Sequence, residues 1–110
     1  MFDSTDFIVE SLVRWADQNL LHLTVAYKGD RTRGLILLHQ ELRGGGHRFW
    51  VQRRDELGHR AFARRFSEDV TTEDANAFVK REISRDDDLW VLVLEQSDGT
   101  LPPVVSEIAS

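Results

Sequence analysis

Apolar residues recur at helical spacing near the start of the chain and predict a first helix over residues 5–18. Ser4 or Thr5 can cap this helix, because a side-chain hydroxyl accepts a hydrogen bond from a free N–H group of the first turn. A strand over residues 7–13 is the competing interpretation, since that run is rich in β-branched side chains. The apolar stripe consists of Ile8, Leu12, Trp15 and Ala16, and the opposite polar face of Glu10, Arg14 and Asp17.

Four segments with strand-like patterns come next, and each ends at a turn signal. The first alternates apolar and polar side chains, which is typical of a strand with one buried face. The second contains a continuous apolar run over residues 35–38, which is typical of a central strand covered on both faces. The four predicted strands are residues 21–28, 33–42, 47–54 and 59–66.

A second helix is predicted over residues 72–84, with Thr71 or Thr72 as its cap and acidic residues in its first turn. Three consecutive aspartates end it at residues 86–88. Residues 89–94 are then apolar almost throughout and predict a second fully buried strand. The buried side of the helix consists of Ala75, Phe78, Val79 and Ile83.

The element order α-β-β-β-β-α-β predicts an α+β domain with an antiparallel sheet of about five strands and two helices. Strands joined by short turns run antiparallel, so we expect residues 21–66 to form a meander. We expect the last strand beside the first or second, and both helices on one face. Residues 1–96 then form a single domain and residues 97–110 an extended tail. Two strands are apolar on both faces, so the tail or another subunit is expected to cover what the helices leave open.

Composition narrows the class of protein. The chain has 110 residues and no cysteine, which excludes disulfides, thiolate metal sites and thiol chemistry. No apolar run approaches the roughly 18 residues of a membrane span. The first six residues carry two aspartates and no basic residue, unlike a secretory signal. We therefore expect a cytoplasmic protein.

Charge is unevenly distributed along the chain, whose net charge is -5. Residues 43–65 hold seven arginines against two acids, whereas residues 67–110 hold eleven acids against three basic residues. The two regions can pair with each other in the folded domain, which is the favoured interpretation, or the first can offer a basic face to an anionic partner.

The usual chemical motifs are absent or incomplete. The triple glycine at residues 44–46 is followed by a strand rather than by Lys-Ser/Thr and a helix, so we interpret it as a hairpin loop and not a phosphate-binding loop. The histidines show no metal-ligand spacing, although His47 and His59 can meet across a hairpin. No nucleophile and base can be matched, so we predict no catalytic residues, no cofactor and no metal. The other two histidines are His22 and His39.

Three aspartates at a helix C-terminus are unfavourable, because their charges lie at the negative end of the helix dipole. Their presence there therefore indicates a structural role. We expect Asp86 or Asp88 to accept hydrogen bonds from backbone amides and so turn the chain sharply into the strand at Trp90. An arginine of the basic hairpin is an alternative partner. A calcium loop is not indicated, because the glycine and glutamate that such loops carry at fixed positions are missing.

The arginine-rich hairpin, residues 43–65, is the main candidate binding region. Arginines alternate there with aromatic side chains, a pattern that neutralises and stacks single-stranded nucleic acid. The acidic total charge argues against nucleic acid, which is therefore the less favoured partner. The candidate contact residues are Arg48, Trp50, Arg53, Arg54, Arg60 and Arg64, with Phe62 on the neighbouring strand.

Two segments resemble a small bacterial family of uncharacterised proteins. These are residues 72–83, TEDANAFVKREI, and the following residues 86–91, DDDLWV, in which an Asp-x-Asp-Leu-Trp-Val motif leads into a strand. Residues 5–14 and 34–37 resemble the first helix and second strand of that family. Asp87 stands where the family pattern has a proline, which affects only the turn. The resemblance implies a cytoplasmic protein of unknown function and supplies no catalytic residues.

Three hypotheses about function follow. The leading one is a non-enzymatic protein-interaction module that acts through a sheet face or a strand edge, with Trp50 at its surface. The second is a small anion- or nucleic-acid-binding domain that uses the arginine-rich hairpin. The third is self-association as a homodimer through an exposed edge strand.

Overall fold

The computed structural model describes residues 4–103 and residue 105, with the backbone alone at residues 96 and 97. Within them the elements follow the predicted order α-β-β-β-β-α-β, which confirms an α+β domain. β3 has the predicted bounds, and β5 extends three residues further than predicted. The elements are α1 Thr5–Gln18, β1 His22–Tyr27, β2 Ile36–Leu42, β3 His47–Arg54, β4 Arg60–Arg64, α2 Thr72–Arg85 and β5 Trp90–Ser97.

The sheet is mixed, so the prediction of a purely antiparallel sheet is wrong. Its strand order is β1-β5-β2-β3-β4, and β5 runs parallel to β2 but antiparallel to β1. Because α2 lies between β4 and β5, the chain can cross the sheet and return in the parallel direction. β5 therefore separates β1 from β2, so the predicted meander over residues 21–66 is wrong, and the meander contains only β2, β3 and β4. The place of β5 beside the first two strands agrees with the prediction.

The two helices lie on opposite faces of the sheet, so the prediction that both cover one face is also wrong. α1 packs Leu12 and Ala16 against one face, here called the α1 face. α2 packs Ala75 and Phe78 against the other, the α2 face. The apolar sequence of β2 and β5 explains this arrangement, because a strand that is apolar on both sides needs cover on both sides.

Residues after β5 complete the cover of the α1 face. Val105 is fully buried in the same apolar cluster as α1, and Leu101 packs against it. Thr100 accepts a hydrogen bond through its carbonyl oxygen from the Gln40 side chain at 3.3 Å. The part of the predicted tail at residues 106–110 lies outside the described residues. Leu101 and Val105 thus cover part of the α1 face that α1 itself leaves open.

The start of α1 is tied to the loop that precedes β2. The hydroxyl of Thr5, which is fully buried, donates to the carbonyl oxygen of Gly34 at 2.6 Å. Val9, Leu12 and Ala16 are buried at helical spacing, which excludes the competing strand over residues 7–13. α2 begins at a true cap, since the hydroxyl of Thr71 accepts a hydrogen bond from the amide of Asp74 at 3.2 Å.

Candidate functional site: an arginine cleft and a buried histidine pair

An open cleft of about 870 Å³ lies between the last turns of α2 and the ends of β3 and β4. Five arginines reach it from three separate elements, and Glu82 is the one acid among the described residues that line it. This set is called the arginine cleft below. Its arginines are Arg53, Arg64, Arg65, Arg81 and Arg85.

Two of these guanidinium groups rest on aromatic rings. The guanidinium carbon of Arg65 lies 4.7 Å from the centre of the Phe66 ring and 5.6 Å from that of Phe78. Arg81 lies 5.9 Å from the centre of the same Phe78 ring. A cation held over a ring face is positioned without using its N–H groups, so these groups remain available to an acceptor.

The remaining cations of the arginine cleft are only partly neutralised. Arg85 is 3.5 Å from Glu82 but its side chain is 69% exposed, so this pair contributes little. Arg64 donates to Asp69 at 3.0 Å. Among the described residues the side chain of Arg53 has no hydrogen bond or ion pair. The cleft is therefore a concentration of positive charge on an acidic protein.

Asp69 bridges Arg64 of the arginine cleft, at the end of β4, and Arg48 on β3. It accepts from Arg48 at 2.6 Å as well as from Arg64. The hydrogen bond from Arg48 and then the charge of both guanidinium groups hold the pKa of Asp69 below its usual value. Arg48, a predicted contact residue, thus has an acidic partner in the domain.

Two other predicted contact residues hold the loop before β2. Arg60 donates to the carbonyl oxygens of Thr32 and Gly34, each at 3.1 Å, and Arg54 donates to that of Arg33 at 2.6 Å. Of the six predicted contact residues, the arginine cleft therefore brings together Arg53 and Arg64.

The aromatic residues of the predicted binding face lie toward the core. Phe62 is 2% exposed, and Trp50 is half-buried with its indole N–H donating to Gln40 at 2.9 Å. Both pack into the cluster of the α1 face, whereas the apolar side chains beside the arginine cleft belong to that of the α2 face. The strand register places Arg48, Arg54, Arg60 and Arg64 on the same side of the sheet as Trp50 and Phe62, whereas Arg53 projects to the α2 face.

Sequence reasoning missed Arg65, Arg81 and Arg85. Arg81 and Arg85 are spaced i, i+4 and so share one side of α2, which was a usable signal. Their approach to Arg53 depends on α2 packing across β3, which local sequence patterns do not reveal.

A second cluster lies on the α2 face, where the rings of His39 and His47 meet. Nε2 of His39 and Nδ1 of His47 are 2.8 Å apart, and Nε2 of His47 lies 2.9 Å from the hydroxyl of Thr72. The two histidines are 5% and 6% exposed. Glu41 offers a carboxylate oxygen within 4.8 Å of a nitrogen of each ring. Sequence analysis paired His47 with His59, but His59 instead forms an exposed pair with Asp55 at 3.3 Å.

The environment of His39 disfavours its charged form. Burial lowers the pKa of His39 to about 4, and the neighbouring His47 acts in the same direction. The ring also stacks on Phe49, with 4.4 Å between the ring centres. His39 is therefore neutral near pH 7 and presents a lone pair on one of its nitrogens.

The three aspartates after α2 form a turn against another loop. A carboxylate oxygen of Asp86 accepts from the amide of Asp88 at 3.0 Å, and the indole of Trp90 donates to the carbonyl oxygen of Asp30 at 2.7 Å. A Cβ atom at Gly29 would lie 2.0 Å from the carbonyl oxygen of Asp88, so only glycine fits there. Desolvation and then the adjacent acids raise the pKa of Asp88. The carboxylates of residues 86–88 lie within 4.8 Å of one another, but exposed acids of this kind are common without an ion.

The fold and site define a small three-layer α+β domain with a cationic cleft at one end of its sheet. The chain belongs to the DUF1491 family of proteins of unknown function, which it matches over residues 4–102. This finding confirms the resemblance to an uncharacterised family, while the Asp-x-Asp-Leu-Trp-Val motif stays a prediction. No curated protein matches the chain. Among the described residues no helix is long and apolar enough to cross a membrane.

Solved structures share this fold over nearly the whole chain. A crystal structure of a DUF1491 family protein from Caulobacter crescentus CB15 is 30% identical with a TM-score of 0.77, covering 90% of this chain and 92% of that one. An NMR structure of a DUF1491 family protein from the same organism is 31% identical with a TM-score of 0.80, covering 91% of each chain. The solution structure of Atu0922 from A. tumefaciens has a TM-score of 0.81 at 23% identity, covering 100% of this chain and 98% of that one, and shows the fold alone.

Proposed function

We propose that the protein is a non-catalytic interaction module that binds an acidic segment of a partner protein in the arginine cleft. The observation that carries this proposal is the convergence of five arginines from β3, the end of β4 and α2 on one open cleft, where Glu82 is the single acid among the described lining residues. A cytoplasmic location and a bacterial origin stay expectations, and the sources of the solved neighbours favour the bacterial origin.

The chemistry of the lining supports carboxylates as ligands. A guanidinium group offers parallel N–H donors that match the two oxygens of a carboxylate, and such charge-assisted pairs are stronger than neutral hydrogen bonds. Arg65 and Arg81 are held over aromatic rings with their donors available. A cleft of about 870 Å³ has room for several acidic side chains of one segment.

Two observations favour a protein over a nucleic acid. Trp50 and Phe62 pack into the cluster of the α1 face, so they offer no stacking surface beside the arginine cleft. The protein carries a net charge of -5, so a long polyanion that leaves the cleft meets like charge elsewhere. A short acidic segment avoids this repulsion. Nucleic-acid binding and self-association are the alternatives that the experiment must separate.

The test titrates the whole chain against three ligands and measures binding by fluorescence anisotropy. The ligands are a labelled oligoglutamate peptide, single-stranded DNA of equal charge and inorganic polyphosphate. We expect the tightest binding to the peptide, and affinity that falls with added salt. Arg53→Glu should weaken it at least roughly tenfold, because one charge-assisted pair is lost and one repulsion is added. Light scattering of the same samples reports any homodimer.

The matched control is Arg14→Glu, which makes the same change of charge on an exposed α1 residue on the other side of the sheet. It should leave the peptide affinity within about twofold of the wild type, because Arg14 does not line the cleft and salt screens exposed charges that are not in contact. Equal losses in both variants would refute the arginine cleft as the binding site. Tighter binding of the DNA would favour the nucleic-acid alternative.

A further inference from the structure

We infer that His39, Glu41 and His47 form a binding site for one divalent transition metal ion, zinc in the first instance. The inference does not depend on the proposed function, since none of the three residues lines the arginine cleft. It rests on the geometry of a two-stranded hairpin and on the hydrogen bond that orients one of its histidines.

The hairpin of β2 and β3 places the three side chains on one face. Glu41 pairs directly with His47 across the two strands, and His39 lies two residues before Glu41. Side chains two residues apart on a strand, and those of directly paired residues, project to the same side of a sheet. The contact of His39 with Phe49 and that of His47 with Thr72 show that this side is the α2 face.

The ligand atoms are already close to the spacing that a zinc ion requires. One atom from each of the three side chains lies within 4.8 Å of the other two, and the facing nitrogens of His39 and His47 are 2.8 Å apart. Two nitrogens that bind one tetrahedral zinc ion, each about 2.0–2.1 Å from it, are roughly 3.4 Å apart. The rings therefore need to separate by roughly half an ångström to admit the ion.

Thr72 supplies the support that histidine ligands usually have. A histidine that binds a metal through one nitrogen commonly donates a hydrogen bond from the other, which fixes the tautomer and the ring orientation. Nε2 of His47 lies 2.9 Å from the hydroxyl oxygen of Thr72, so an Nε2–H tautomer donates to it and leaves Nδ1 free for the ion. The proton shared between the two rings then moves to a distal ring nitrogen or to solvent.

The surroundings suit a bound ion. Stacking on Phe49 fixes the ring of His39, and both histidines are almost fully buried. Glu41 is half-buried and its side chain makes no hydrogen bond or ion pair among the described residues, so its carboxylate is available to bind an ion. Two histidines and one carboxylate leave a fourth position open to water, as in zinc sites with three protein ligands.

The test adds Co²⁺ and then Zn²⁺ to the whole chain after treatment with a chelator. We expect one Co²⁺ per chain with the visible absorption bands of a tetrahedral site, and displacement of the Co²⁺ by one Zn²⁺. Glu41→Gln and His47→Gln should each abolish the absorption. Glu41 is only half-buried, so Glu41→Gln keeps the test valid if His47→Gln fails to fold.

Two further variants separate this site from surface binding. Thr72→Val should weaken Co²⁺ binding roughly 10–100-fold, as loss of such a supporting hydrogen bond usually does. The double variant His22→Gln with His59→Gln removes the exposed histidine–carboxylate pairs and should bind like the wild type. The inference is overturned if the wild type gives no tetrahedral absorption, or if binding survives Glu41→Gln and His47→Gln but is lost in the double variant.

Discussion

The two faces of the sheet differ in what they do with polar groups. On the α1 face polar side chains complete internal hydrogen bonds, as when Gln52, 1% exposed, accepts from the amide of Ile36 at 3.1 Å. The α2 face has a smaller apolar cluster, bordered by the arginine cleft and by His39 and His47. The buried histidine pair and most of the arginine cleft thus lie on the α2 side of the sheet. Both faces contribute apolar core to the fold, and only the α2 side also carries the two candidate binding sites.

The largest expected effect tests whether both faces are needed for stability. Phe49→Ala removes a fully buried ring that packs edge-on against Phe78 with 4.7 Å between centres. We expect a loss of about 3–5 kcal/mol in the free energy of unfolding, measured with denaturant. Leu38→Ala on the α1 face should cost about 2–5 kcal/mol, and Phe7→Ala, on a side chain 54% exposed, less than about 0.5 kcal/mol. A loss below about 1 kcal/mol from Phe49→Ala would show that the α2 face adds little.

The next effect is a pH dependence that belongs to the α2 face. The pKa of His39 falls from 6.5 to about 4 on folding, so the unfolded chain takes up this proton first as the pH falls. In chelator-treated protein the stability from neutral His39 is fully present above pH 6.5 and lost as the pH falls to about 4, a loss of about 2–3 kcal/mol. The variant His39→Leu provides the comparison, because it removes the titrating group and keeps its neighbours His47, Glu41 and Thr72.

Urea unfolding of wild type and His39→Leu between pH 4 and 8 measures this contribution, because the substitution removes the His39 proton from both the folded and the unfolded chain. The difference between the two curves should change with pH below 6.5 and be constant above it. His22→Gln, which alters an exposed histidine, should follow the wild type at every pH. Parallel curves for wild type and His39→Leu would show that His39 titrates alike in the folded and unfolded chains.

A smaller effect distinguishes the starts of the two helices. Thr71 caps α2 through its hydroxyl, whereas the hydroxyl of Ser4 donates to the Asp6 side chain and makes no cap hydrogen bond in α1. Thr71→Ala should therefore cost about 1 kcal/mol of stability and Ser4→Ala a few tenths. Thermal unfolding of the two variants gives the order. A larger loss from Ser4→Ala would mean that the cap of α1 has been misassigned.

The smallest expected effect concerns the cleft residue without a partner. The side chain of Arg53 has no hydrogen bond or ion pair among the described residues, so Arg53→Ala should change the free energy of unfolding by less than about 0.5 kcal/mol. Arg60→Ala should cost more, because Arg60 donates to the carbonyl oxygens of Thr32 and Gly34. Equal losses would contradict the distinction between a binding arginine and a structural one.

Local patterns were enough to predict the elements, because each depends on neighbouring residues. The alternation in residues 47–54 gave β3 its observed bounds, and the helical spacing of Leu12 and Ala16 gave α1. The direction of β5 and the side taken by α2 depend on how a crossover packs on the sheet, which no window of sequence contains. These are the two points at which the predicted fold was wrong.

The candidate sites were harder to predict because each joins residues that are distant in sequence. Arg53 was among the predicted contact residues, but its neighbours Arg81 and Arg85 come from a helix that sequence analysis placed only by its apolar side. His47 was matched to His59 across the 47–66 hairpin, although the predicted hairpin loop at residues 44–46 also brings the strand of His39 beside that of His47. The β2–β3 register, with Glu41 opposite His47, would have indicated the pair with His39.

The most direct test of the difference between the two faces is a two-dimensional NMR titration of the ¹⁵N-labelled chain with an oligoglutamate peptide. We predict that the largest shift changes fall on the amides around Arg53, Arg65, Arg81 and Arg85, with little change in α1 and β1. Changes centred on α1 and β1, or none at a concentration that saturates the anisotropy signal, would contradict the assignment of binding to the α2 face.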